Sequence, residues 1–146
     1  MTDAVSYTTD NYNETMLLGE RLIKDIPLGA VIALSGELGA GKTIFAKGIA
    51  KGLGVTDEVT SPTFTLVRLY EGKRDGKQAV LYHFDCYRLG GESEAEDSGL
   101  GELIGRSDGI CVIEWSERIA RLLPNNTVKV NITKTGNTQR RIYITL

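Results

Sequence analysis

The chain has 146 residues, 41% of them hydrophobic, which is enough for one globular domain (1–146) with a real core and leaves hardly any room for a second. A formal net charge of -2 excludes a protein that grips nucleic acid through a strong basic field of its own, so any nucleic-acid role is expected to be shared with a partner. No apolar run is long enough to span a membrane, and the opening "MTDAVSYTTD" lacks the basic and apolar regions of a signal peptide, which leads to the expectation of a cytoplasmic protein.

Taken in order, "AVSYTT" (4–9) reads as a short strand. "NYNETMLLGERLIKDI" (11–26) reads as a helix, with Leu18, Leu22 and Ile26 recurring every four residues beside Met16 and Ile23. Asn11 followed three residues later by Glu14 resembles a capping box. The continuous apolar run "AVIALSG" (30–36) suits a strand buried on both faces. "KTIFAKGIAKGLG" (42–54) is then a helix carrying Phe45, Ile49 and Leu53 on one side and ending at Gly54. "FTLVRLY" (64–70) and "AVLYHFD" (79–85) are strand-like and flank the turn signal Asp75-Gly76, so they are expected to pair as a hairpin. The acidic "GGESEAEDSGLGELIG" (90–105) is expected to hold a short helix, "ICVIEW" (110–115) another buried strand and "SERIARLL" (116–123) another helix. "TVKVNI" (127–132) and "RRIYIT" (140–145) alternate apolar with polar residues around "KTGN", a final hairpin. The expected fold class is α/β, a P-loop NTPase fold with a mixed sheet, parallel around the glycine-rich loop and antiparallel in its later strands.

Between the first buried strand and the helix after it, Gly36-Glu37-Leu38-Gly39-Ala40-Gly41-Lys42-Thr43 fulfils GxxxxGK[ST] in full. Glycines allow backbone dihedrals that turn several N–H groups inward, with no side chain to block a phosphate. The following helix adds its positive N-terminus. Lys42 is expected to reach the β- and γ-phosphates and the Thr43 hydroxyl to ligate Mg²⁺. No N/TKxD base-reading motif accompanies the loop, which favours ATP over GTP. A protein using ATP works in a reducing compartment, so Cys86 and Cys111, which lack CxxC spacing, are read as free thiols.

Mg²⁺ and water also need an acid at a neighbouring strand end. Asp85 ends "AVLYHFD" and Glu114 ends "ICVIE". One is expected to bind the ion while the other orients the attacking water, and the spacing alone does not say which. The hydroxyl-rich "TSPTFT" (60–65), with Ser61, Pro62 and Thr63, is either a switch loop that senses the γ-phosphate or a plain turn into a strand. Trp115 and His83, each the only residue of its type, read most simply as packing residues. Two other functions stand beside an ATPase: a kinase, for which no arginine-bearing lid is evident, and a non-catalytic nucleotide-binding module, against which the two strand-end acids argue.

"GELGAGKT", "SPTFTLV", "YHFDCYRL" and "ICVIEW", followed after Ser116 by Glu117, closely resemble the bacterial TsaE family (also called YjeE or YdiB) in this order and across nearly the whole chain. The combination of HxDxYR with IEW carries the resemblance more than the P-loop does. It implies a small Mg²⁺-dependent ATPase, weak alone, required for the threonylcarbamoyladenosine (t6A) modification of tRNA. It implies action with a TsaB–TsaD pair, in which TsaD transfers the group to the adenosine beside the anticodon, so that tRNA is met only through the complex. By resemblance, Lys42 binds phosphate, Thr43 and Glu114 bind Mg²⁺, Asp85 serves hydrolysis and Trp115 is the functional tryptophan. Ser61, Pro62 and Thr63 match the switch-like loop, and Thr15 falls where the first helix of the family approaches the nucleotide. Ile44, where a second hydroxyl residue is common, and Ser116, where proline is usual, depart from the pattern.

Overall fold

The computed structural model describes residues 4–37, 39–60, 67–87, 92–97 and 99–146. Leu38, the Ser61-Pro62-Thr63 loop with the start of the strand expected at 64, and Arg88 of the HxDxYR motif lie outside the described residues. Among those described, a seven-stranded sheet runs in the order β1-β7-β6-β2-β5-β4-β3. Its strands are β1 (Ala4–Thr9), β2 (Val31–Ser35), β3 (Val67–Arg74), β4 (Lys77–Asp85), β5 (Gly109–Glu114), β6 (Val128–Lys134) and β7 (Arg140–Thr145). β2 lies between β5 and β6 and is parallel to both; β4 is parallel to β5. The outer pairs β3–β4, β6–β7 and β1–β7 are antiparallel. The mixed sheet expected from the sequence is therefore present, with antiparallel pairs at both edges.

Strand alternation divides the core in two. Ile32 and Leu34 of β2, Ile110 and Val112 of β5 and Leu81 of β4 point to one face, where they meet Phe45, Ile49 and Leu53. Val31, Cys111, Ile113, Tyr82 and Phe84 point to the other, against Leu100 and Ile119. Because side chains alternate with period two, the strand-end positions are settled by the same parity. Glu114 continues the row of Ile110 and Val112, while His83 and Asp85 continue that of Leu81. Both acids and the imidazole thus belong to the face that carries the helices α1 (Tyr12–Lys24) and α2 (Lys42–Gly52).

α1 begins as the capping box requires: the Glu14 amide donates to Asn11 Oδ1 at 2.9 Å, and the Asp10 amide donates to Glu14 Oε1 at 2.9 Å. Its most buried face is Thr15, Gly19 and Ile23, with Leu18 and Leu22 at the flank. The shift from the expected leucine stripe has a cause in glycine. A Cβ at Gly48 of α2 would sit 1.9 Å from the Met16 carbonyl oxygen, and one at Gly19 would sit 2.5 Å from that of Phe45. The two helices pack backbone to backbone, and the leucines are displaced sideways. The α1 C-terminus is closed by Arg74, which donates from Nη1 to the Ile26 carbonyl and from Nη2 to that of Ile23 at 2.6 Å.

β3 and β4 run on to Arg74 and Lys77, beyond the ends expected for them, because Asp75 and Gly76 both adopt positive φ (53° and 79°) and make the two-residue turn that suits twisted strands. The acidic segment contains α3 (Glu92–Asp97) and a 3₁₀ turn, Leu100–Glu102. The helix expected at 116–123 is instead a 3₁₀ segment, Ser116–Leu122, interrupted at Ile119. It starts from a left-handed Trp115 with no side-chain cap and stops before Pro124, which pushes Leu123 into extended geometry, so a regular α-helix has neither a start nor a length to grow into. Cys86 and Cys111 are free and buried; burial first of all pushes their thiols up to about 12 and about 11.

Candidate functional site

The loop between β2 and α2 emerges from the carboxyl end of a central parallel strand, where open α/β sheets form their crevices. Gly36 (φ 148°) passes so close to β6 that a Cβ would lie 2.4 Å from the Ile132 carbonyl oxygen. Gly41 (φ 110°) turns the chain into α2 in a conformation that a side chain would strain. The loop borders a cleft of about 380 Å³, lined by Gly39, Gly41, Lys42, Thr43 and Ile44 from the loop and helix, Asp85 and Tyr87 after β4, Glu114 and Trp115 after β5, and Tyr12 and Arg140 from the far side.

Lys42 is 5% exposed and donates from Nζ to the Gly36 carbonyl at 2.7 Å. The same ammonium lies 3.7 Å from the centre of the Trp115 ring. Burial lowers the Lys42 pKa, against the opposing pull of Glu114, Glu117 and Asp85. Trp115 adopts left-handed backbone geometry (φ 58°), which costs about 1 kcal/mol for a residue with a Cβ. That conformation turns the chain at the end of β5, with the indole between Lys42 and Tyr87, whose ring centroid is 4.8 Å away.

Glu114 is 3% exposed and is held by both of its oxygens. Oε1 accepts from the Thr43 hydroxyl at 3.4 Å, and Oε2 lies 2.6 Å from His83 Nε2. Nδ1 of His83 is buried with no hydrogen-bond partner among the described residues. It therefore carries no outward tether, and the imidazole's polar contact is with Glu114. The sequence reading of His83 as a packing residue is correct for its burial, but it also fixes a carboxylate. Asp85 lies opposite Glu114 in the β4–β5 register and accepts from the Tyr87 amide at 2.9 Å. A hydroxyl and two carboxylates are hard oxygen donors, few in number. This suits Mg²⁺, which keeps water and phosphate oxygens in its shell rather than asking for a protein cage.

Of the residues singled out from sequence, Gly39, Gly41, Lys42, Thr43, Asp85, Glu114 and Trp115 meet around the cleft. Ala40 is buried behind the loop. Thr15 is also buried, its hydroxyl 2.7 Å from that of Thr9 and its methyl 4.0 Å from where a Gly41 Cβ would stand. Arg140, Tyr12 and Tyr87 line the cleft without having been anticipated. Arg140 was within reach of the alternation argument, since Ile142 and Ile144 are buried and residue 140 shares their parity.

The TsaE family model, described as threonylcarbamoyl adenosine biosynthesis protein TsaE, matches residues 9–142. The chain belongs to the TsaE family. Its TsaE relatives include the tRNA threonylcarbamoyladenosine biosynthesis protein TsaE of Treponema pallidum, 44% identical over 80% of this chain and 82% of that protein. The Bacillus subtilis protein of the same name is 40% identical over 97% of this chain and 85% of its own length. The crystal structure of Bacillus subtilis YdiB superposes with a TM-score of 0.80 at 34% identity, covering 99% of this chain and 86% of that one. The TsaE match takes in the glycine-rich loop, His83, Asp85, Glu114, Trp115 and Arg140. No helix among the described residues is long and apolar enough to cross a membrane.

Proposed function

We propose that this chain is the ATP-binding and ATP-hydrolysing component of t6A biosynthesis on tRNA, acting with TsaB and TsaD and not itself transferring the threonylcarbamoyl group. The names of its relatives support the pathway. One observation carries the chemistry: the Lys42 ammonium, the Thr43 hydroxyl and the Glu114 and Asp85 carboxylates converge on one cleft at the ends of parallel strands.

Lys42 leaves the Gly36 carbonyl and the indole for the β- and γ-phosphates, while N–H groups of residues 41–43, at the start of α2, bind the remaining oxygens. Thr43 and Glu114 hold Mg²⁺, which when bound supplies charge neutralisation for the phosphates. His83 keeps Glu114 Oε2 occupied, so that Oε1 remains the oxygen directed at Thr43. Asp85 orients a water whose oxygen forms the new bond to the γ-phosphorus as the bond to the β–γ bridging oxygen breaks, and it accepts the proton the water releases. With the cleft occupied by nucleotide and no lid for an acceptor among the described residues, phosphate loss serves the partner pair as a timing signal, and the protein works in the cytoplasm where ATP and tRNA meet.

Reconstituted tRNA modification, run with and without this chain and counted as product per TsaD, tests the reading. Repeated turnovers that require both this chain and Mg·ATP are expected. One product equivalent in both reactions would sink the turnover role, and phosphate transferred to an acceptor instead of water would favour a kinase.

A further inference from the structure

Arg140 is 3% exposed and opens the last strand, yet neither ion pair among the described residues involves it. Its donors go to backbone carbonyls. Nε donates to Ala40 at 2.6 Å and Nη2 to Gly39 at 3.3 Å; Nη1 serves Gly136, Asn137 and Gln139 at 3.1, 3.3 and 2.8 Å. One guanidinium therefore bridges the glycine-rich loop and the turn between β6 and β7.

The bridge answers a need of the loop itself. The Ala40 amide donates within the loop, to the Glu37 carbonyl at 3.0 Å. If the N–H of Gly41 is to point into the cleft, the Ala40 carbonyl of the same peptide must point away from it, into the protein, toward Arg140, as the Gly39 carbonyl also does. There they require donors, because an unpaired buried carbonyl is costly. Arg140 supplies donors to both. Its fork is planar and permanently charged, so it fixes direction as well as distance. With carbonyl dipoles in place of a carboxylate, its positive charge is left uncancelled beside an anion site. The turn is anchored in its own right: the Thr138 hydroxyl donates to the Asp10 carbonyl at 2.8 Å, at the start of α1.

We infer that Arg140 is a positioning residue that presets the phosphate cradle from behind, making affinity for the polyphosphate depend on the C-terminal hairpin. The inference rests on the cleft being a nucleotide site, as proposed above. Its test compares the unaltered chain with Arg140→Lys and Arg140→Met, binding Mg·ATP and inorganic tripolyphosphate by calorimetry, with folding followed by circular dichroism. Arg140→Lys keeps the charge and loses the fork, and is expected to fold. Both ligands should weaken by about tenfold, the worth of one or two charged hydrogen bonds, with kcat at saturation within about threefold. Hydrogen exchange at residues 39–43 of the ligand-free chain should rise in the same variant. Wild-type affinity for both ligands in Arg140→Lys would overturn the inference, as would a fall for Mg·ATP with tripolyphosphate unchanged, which would make Arg140 a contact of the nucleoside. A fall in melting temperature with affinity intact in Arg140→Met would likewise reduce it to a structural residue. An unaltered chain that binds neither ligand would instead remove the nucleotide reading itself.

Discussion

The two ends of the cleft are built in different ways. At the end proposed to hold Mg²⁺, the metal end of that reading, side chains hold side chains: His83 holds Glu114, Glu114 faces Thr43, and Trp115 is enclosed by Lys42 and Tyr87. Every member comes from the end of a parallel strand or from the first turn of α2. At the end proposed to cradle phosphate, the working groups of that reading are backbone N–H groups, and what holds the loop is glycine geometry together with an arginine a hundred positions further along the chain. The metal end should therefore fail through the loss of particular functional groups, with folding and nucleotide binding spared. The cradle end should fail through loss of shape, and affinity should register it first.

The largest expected effect is at the metal end. Asp85→Asn keeps size and polarity but removes the proton acceptor, so phosphate release should fall by about a thousandfold while Mg·ATP affinity moves little. Equal losses in both would erase the distinction between the ends. Lys42→Ala stands at the junction. It removes the charge that reaches the phosphates and should weaken ATP binding by about a hundredfold, as measured by calorimetry. Unchanged affinity there would refute the phosphate assignment. His83→Leu is the finest probe. It fills a similar volume in a fully buried place without donating to Glu114. The Mg²⁺ concentration for half-maximal phosphate release should rise by about tenfold, whereas ATP affinity measured without Mg²⁺ should stay the same. His83→Gln, which can donate again, should restore much of the Mg²⁺ response; equal defects in the two variants would mean that the site needs the ring's shape, not its hydrogen bond.

Much of the metal end was legible because it obeys local rules. A P-loop match fixes Lys42 and Thr43, and an apolar run that ends in an acid places Asp85 and Glu114 at strand ends. What periodicity could not show was that the lone histidine, on the same face as Asp85, stands beside Glu114, because that contact acquires meaning only when β4 and β5 are known to be neighbours in register. The cradle end was less legible for a related reason. Arg140 pairs with carbonyls, which have no signature of their own in the sequence, and the pairing closes a loop of most of the chain. The glycines at 19 and 48 were hidden in the same way: within a helical pattern they look like weak helix formers, and their purpose appears only when the second helix is laid against the first. The segment at 116–122 misled because its apolar spacing suits a helix, while the left-handed residue before it is not encoded in that spacing.

The two thiols offer a chemical clock. Cys86 and Cys111 stand on the side of the sheet away from α1 and α2, in the smaller half of the core. Cys86 directly follows β4 and donates its amide to the Glu114 carbonyl, while Cys111 lies within β5. With their thiols pushed up to about 12 and about 11, almost no thiolate exists at neutral pH, and burial bars reagents from what there is. Alkylation must wait for the 3₁₀ segments that cover this face to lift from the sheet. Its rate therefore counts openings of that layer, and the same count taken with nucleotide present would reveal how firmly an occupied cleft holds down the segment that starts from Trp115.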